Sequence, residues 1–208
     1  MHITKKVRLI PAPFVGTRIN IVLDDPESLD WGIYLVTLAE GSSAVTIDWG
    51  DGAVEQFSGK ISPVHTYPRC GTYAVIISDD LKSFRCSHSM ESSPFLMIYA
   101  KRIVGVKSNA RKLEAIPAVA FYGCENLTEF DVDAASVRDI LTRAFYKCTG
   151  LVGALRFPAV NNINITAFTD CTGITELHFS ETHKAEIEAL PGYRTAFGAS
   201  NAAIFFDL

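Results

Sequence analysis

One string recurs in this chain at a nearly fixed interval and limits what the chain can fold into. Ala-Phe-x-x-Cys occurs at Ala120-Phe121-Tyr122-Gly123-Cys124, at Ala144-Phe145-Tyr146-Lys147-Cys148 and at Ala167-Phe168-Thr169-Asp170-Cys171, with the cysteines 24 and 23 residues apart. The flanks repeat with it. An aliphatic residue stands upstream of each copy (Ile116, Ile140, Ile163) and another three residues after each cysteine (Leu127, Leu151, Ile174). An apolar-x-apolar pair follows: Phe130 and Val132, Leu155 and Phe157, Leu177 and Phe179. Alternation of that kind is a short strand with one buried face. A worn fourth copy has Ala196-Phe197, Ser200 in the cysteine slot, and Ile204 and Phe206 as its strand pair. The middle copy carries one extra residue near Val152-Gly153, which predicts a small bulge. A unit this short cannot enclose a core, so the units must stack, with equivalent residues about 4.8 Å apart in interior ladders. Phe121, Phe145 and Phe168 form one predicted ladder. Cys124, Cys148 and Cys171 form another, as small buried hydrophobes rather than metal ligands or disulfide partners.

The period fits a leucine-rich repeat. These residues resemble the BspA-like leucine-rich repeat family, whose units read roughly I-x-x-x-A-F-x-x-C-x-x-L-x-x-x-x-x-P. The resemblance covers about residues 110–208, and the proline after the strand matches only at Pro158. It implies a non-enzymatic surface or secreted protein with adhesive or protein-binding roles.

The N-terminal half reads differently. Ile19–Leu23, Ile33–Leu38, Ala44–Trp49 and Tyr73–Ile77 are candidate strands broken by turns, the pattern of an antiparallel sandwich. Asp48-Trp49-Gly50-Asp51-Gly52 closes a strand with a tight turn. His65-Thr66-Tyr67 then precedes Gly71-Thr72-Tyr73-Ala74-Val75. Together these are similar to the PKD-type immunoglobulin-like domain, with its W-x-F-G-D-G and later H-x-Y…G-x-Y-x-V. Here Ile47 and Trp49 stand at the family's two aromatic positions. That resemblance, over about residues 42–80, implies a non-catalytic spacer or interaction module. Asp48 and Asp51 read as turn-forming aspartates rather than half of a calcium loop. His65 reads as a packed histidine bonded to that turn. Ser87–Pro94 is polar and linker-like, and Phe95–Tyr99 is a candidate strand of an irregular first repeat. The expected fold is mostly β: an N-terminal PKD/Ig-like β-sandwich over residues 1–85, then a short leucine-rich-repeat solenoid of about four repeats over 86–208.

Composition narrows the function. A 48% hydrophobic, 20% charged chain of 208 residues has material for a core, and a net charge of −4 disfavours nucleic acid as a partner. There is no run of 18 apolar residues, so membrane insertion by a helix is not expected. Lys5, Lys6 and Arg8 begin a stretch like a signal peptide, but Pro11 and Pro13 interrupt its apolar part. No catalytic fingerprint appears, the five histidines do not cluster at metal-ligand spacing, and no cofactor is expected. Cys70 and Cys86 read equally as a pair or as two free thiols. Asp131 and Asp133 share one strand face and read as solvated aspartates rather than a glycosidase pair. Lys101, Arg102, Lys107, Arg111 and Lys112 form a basic run that suits either an anionic partner or plain solvation. If the repeats bind a ligand, the outward strand residues are the candidates: Asp131, Arg156 and His178, beside Glu129, Asp133 and Glu176. Three readings stand: a surface binding module for a protein or glycan, a structural spacer of a phage tail or extracellular assembly, and an accessory domain of a glycan-degrading system.

Overall fold

The structure, a computed structural model, describes residues 15–59, 62–86, 99–132, 136–199 and 201–208. It is mostly β, with a few short helical segments. Eight strands precede residue 86: β1 (Gly16–Leu23), β2 (Asp30–Gly32), β3 (Tyr34–Leu38), β4 (Val45–Asp48), β5 (Val54–Phe57), β6 (Val64–Thr66), β7 (Gly71–Ser78) and β8 (Leu81–Arg85). Eight follow: β9 (Ile103–Ser108), β10 (Ala115–Ile116), β11 (Glu129–Val132), β12 (Asp139–Ile140), β13 (Gly153–Phe157), β14 (Asn162–Ile163), β15 (Ile174–Phe179) and β16 (Ala203–Phe206). One six-stranded sheet runs β11-β9-β1-β7-β4-β5. It joins the two halves of the chain, because β9 pairs antiparallel with β1 and parallel with β11. The alternating Ile19, Ile21 and Leu23 of β1 and Tyr73, Val75 and Ile77 of β7 point one face into a core that also holds Trp31 and Trp49.

The Asp48–Gly52 turn is built by its own carboxylates. Asp48 Oδ1 accepts from the Gly50 N–H at 2.9 Å and Asp51 Oδ1 from the Ala53 N–H at 3.0 Å. His65 Nε2 lies 2.8 Å from Asp51 Oδ2, and its ring stacks on Trp49 with centroids 5.0 Å apart. Burial presses the Asp51 carboxyl upward, and the bonds from His65 and Ala53 outweigh it, so it titrates below the ordinary carboxylate value. The Tyr67 hydroxyl donates to the Trp49 carbonyl at 3.1 Å and closes the motif.

In the repeats the ladders form. The rings of Phe121 and Phe145 stack at 5.3 Å and those of Phe145 and Phe168 at 5.1 Å. The Phe121 N–H donates to Ala144 of the next unit at 2.7 Å, and Phe145 to Ala167 at 2.8 Å. The thiols run beside them: Cys148 Sγ donates to the Phe121 carbonyl at 3.0 Å and Cys171 Sγ to the Phe145 carbonyl at 2.8 Å. Ile116, Ile140 and Ile163 pair in register as the parallel sheet β10-β12-β14. Two recurrent glycines set the closeness of the stack. A Cβ on Gly150 would stand 2.5 Å from the Glu125 carbonyl oxygen, and one on Gly173 the same distance from that of Leu151. All five cysteines are free thiols; Cys70 is exposed and the other four are buried. Desolvation pushes the Cys86, Cys124 and Cys148 thiols up, and Cys171 is pushed up by its bond to Cys148 and by burial.

Two expectations are corrected and one is met. The repeat strands do not form one continuous sheet: β11 lies in the sheet of β9 and β1, while β13 begins a separate sheet, β13-β15-β16. The bulge expected near Val152-Gly153 is present, with Gly153 at φ +80° and a register shift against β15, and it sits where the stack parts. Tyr99 belongs to a helical turn over 99–101 rather than a strand, and its carbonyl accepts from Trp31 Nε1 at 3.1 Å. The rest of the Phe95–Tyr99 segment, the linker-like Ser87–Pro94 and Ser200 lie outside the described residues.

Two substitutions of opposite sign in volume are expected to destabilise the stack. Phe145→Ala should cost about 3–5 kcal/mol in chemical unfolding by emptying the middle of the ring ladder. Gly150→Ala should cost about 1–3 kcal/mol by forcing neighbouring backbones apart. A loss below about 1 kcal/mol for Phe145→Ala would contradict the ladder. In native protein, a water-soluble thiol reagent should modify one thiol, Cys70, quickly and the other four only on unfolding; fast labelling of the repeat cysteines would show the columns to be wet.

Candidate functional site

The outward faces of β13, β15 and β16 come into rows by register. Ala154, Glu176 and Ala203 make one row, and Arg156, His178 and Phe205 the next. The intervening Leu155, Phe157, Leu177 and Phe179 are buried, as the apolar-x-apolar pattern requires. Arg156 is exposed, and Phe205 is 41% exposed.

His178 departs from expectation. It lies in the outward row, yet it is buried, because the Phe205 ring lies flat on it at 5.0 Å and 17°. Its Nε2 is 2.9 Å from Glu176 Oε2 and its Nδ1 is 2.7 Å from Asp207 Oδ1. An ionised carboxylate only accepts hydrogen bonds, so the arrangement suits the protonated imidazole, whose two ring nitrogens both donate. Burial is the largest influence on its pKa and pulls it down; the bonds to Asp207 and Glu176 outweigh burial and the nearby Arg156, and raise it above the ordinary value. The result is a charged clamp holding the segment after β16 to β15, with an aromatic face laid over it.

The other predicted residues do not join this cluster. Asp131 is exposed on β11, in the other sheet. Glu129 is tied to Lys107 of β9 at 2.7 Å, both about half exposed, a pair worth under about 1 kcal/mol. Asp133 lies outside the described residues. The basic run is largely spent within the molecule. Lys101 meets Glu125 at 3.1 Å, Arg111 meets Asp79 at 3.3 Å and Lys112 meets Asp80 at 3.2 Å. Arg102 is buried, and its guanidinium donates to the Ser28 and Asp30 carbonyls. It acts as a bolt between the repeats and the loop before β2.

Sequence reasoning missed Phe205 and Asp207. The signal for Phe205 was present: it is the residue between Ile204 and Phe206, so alternation places it outward. Nothing local marks Asp207 as a partner of a histidine 29 residues earlier. Among the described residues, no group of three or more His, Cys, Asp or Glu side chains could hold a metal ion, and no helix is long and apolar enough to cross a membrane.

Compared with known families, residues 101–189 match the BspA type leucine rich repeat region. The match begins two residues before β9, earlier than the Ala-Phe-x-x-Cys strings alone indicate, so β9 counts as a repeat strand even though it pairs with β1. No curated protein matches the chain.

The clamp makes a pH prediction. A histidine whose pKa is raised in the folded state stabilises fully below its unfolded value, about 6.5, and loses that contribution as pH rises through its folded value. Melting temperature should therefore fall from pH 6 toward pH 8 more steeply in the native protein than in His178→Gln. Parallel curves for the two proteins would rule out the charged clamp.

Proposed function

We propose that this chain is a non-enzymatic binding module of a surface or secreted protein, and that it engages a protein or glycan through the outer face of β13, β15 and β16. BspA-type repeat regions are commonly surface or adhesion-type modules, and such a region covers 101–189 here. The observation that carries the reading is the row Arg156–His178–Phe205. An exposed aromatic ring rests on a charged imidazole that two carboxylates hold in place, beside an exposed guanidinium. Such a surface is ordered before any ligand arrives, so little side-chain freedom is lost on binding. In this reading Arg156 and Phe205 touch the ligand, while Glu176, His178 and Asp207 position Phe205. The N-terminal half acts as a PKD-like sandwich that caps a short repeat solenoid and spaces it from whatever precedes it.

The test is a panel of immobilised glycans and extracellular-matrix proteins, probed with the native chain and with the double substitution Arg156→Ala, Phe205→Ala. A ligand found by the native chain should bind the variant at least about tenfold more weakly, with the native far-ultraviolet spectrum retained, since neither side chain is in the core. Equal affinity would clear this face of the role.

A further inference from the structure

The turns carry a second arrangement that the strand face does not use. Each Ala-Phe-x-x-Cys turn has a left-handed backbone position just before its cysteine, and the first two have another just before the alanine. In the first unit these hold Val119 at φ +58° and Gly123 at +72°; in the second, Arg143 at +52° and Lys147 at +58°; in the third, Asp170 takes the position before the cysteine at +64°. A residue with a Cβ is disfavoured there by about 1 kcal/mol, which glycine avoids. The second unit fills both positions with long cations.

Those cations meet at one ring. Tyr122 and Tyr146 stack at 4.7 Å and 20°, which closes one face of Tyr146. Arg143 Cζ lies 5.7 Å and Lys147 Nζ 5.4 Å from the Tyr146 centroid. In the third unit this slot holds Thr169, with Gly198 packed against it, so no third ring continues the Tyr122–Tyr146 stack. The turn is rigid: Tyr146 N–H donates to the Arg143 carbonyl at 3.1 Å, and Lys147 N–H to Thr169 of the next unit at 3.0 Å. Arg143 and Lys147 are exposed. Lys101, Lys107, Arg111 and Lys112 each meet a carboxylate, whereas among the described residues no carboxylate stands within 4.0 Å of Arg143 or Lys147.

We propose that Arg143, Tyr146 and Lys147 form a binding site for an acidic sugar, a pyranose bearing one carboxylate. The guanidinium fork matches a planar carboxylate, the ammonium adds a second charge, and the half-buried Tyr146 ring beside them offers an apolar contact to the sugar ring. Asp170, in the Lys147 slot of the next unit, places a negative charge beside the site. That charge disfavours a run of anions, as in an acidic peptide, and favours a single carboxylate on a neutral frame. The site is distinct from the Arg156–Phe205 row and stands or falls separately.

Methyl galactosiduronate, which carries one carboxylate, its neutral methyl ester and a hexaglutamate peptide, each titrated calorimetrically into the full chain, test this. The uronate should bind, and the ester and the peptide should bind at least tenfold more weakly. Lys147→Gly combined with Arg143→Gly keeps the left-handed turns without strain; it should weaken uronate binding at least tenfold without lowering the melting temperature. Lys107→Gln should leave uronate binding unchanged. Absence of uronate binding, an undiminished affinity in the double glycine variant, or tighter binding of hexaglutamate would overturn the assignment.

Discussion

The bonds from the Phe121 and Phe145 N–H groups to the alanine carbonyl of the following unit are what the rest of the repeat half depends on. They fix neighbouring units at hydrogen-bonding distance, and at that distance the phenylalanine rings can only stack face to face and the thiols can only reach the carbonyl one unit back. No unit satisfies these groups alone. Within the stack the Phe121 ring, the Cys148 thiol and the Ala144 carbonyl are all completed by a neighbour. The same spacing explains why Gly150 and Gly173 stand where a methyl group would meet the backbone of the unit below.

A stack of this kind has ends, and the two are treated differently. On the N-terminal side the ladder is taken over by the other half of the chain. The Cys86 N–H donates to Ala120 at 2.8 Å, the bond that a preceding phenylalanine would make, and Phe84 meets Phe121 edge-on at 5.9 Å. Beside them β9 crosses into the six-stranded sheet, and the buried Arg102 fastens the Ser28 and Asp30 carbonyls. On the other side the pattern degrades. The Phe168 N–H bonds the carbonyl of Phe197 rather than that of Ala196, Phe197 turns edge-on to Phe179, and Ala196 and Phe197 both take left-handed backbone. The charged His178 clamp then holds the last strand where ring stacking no longer does.

What was legible in the sequence followed from period. The apolar pairs, the three isoleucines, the ring and thiol ladders and the bulge at Gly153 are all consequences of register, and register is written into spacing. What was not legible depends on contacts between distant residues. Nothing in the spacing marks β9 as a strand or points to its antiparallel partner β1, about 85 residues earlier in the register. Alternation places His178 outward. That it is buried follows from Phe205 and Asp207, which reach it from a strand that an intervening 3-10 turn and short helix, Glu181–His183 and Lys184–Ala189, put out of step with the period. The basic run misled for the same reason: linear charge density does not count the carboxylates that the fold brings alongside.

Pairing of charge is therefore the discriminating quantity on this molecule, more than charge itself. Glu129 and Lys107 are exposed but answer each other across β11 and β9, and a ligand must displace one to reach the other. Arg143 and Lys147, 5.7 and 5.4 Å from the Tyr146 centroid, are cations whose aromatic partner leaves the positive charge formally uncompensated. An aromatic ring holds a cation with about 0.5–1 kcal/mol at an exposed site, enough to order it and too little to compete with a carboxylate arriving from outside. A repeat stack offers such positions at every turn and strand, and its sequence decides which are closed by a neighbouring acid and which remain open to a partner.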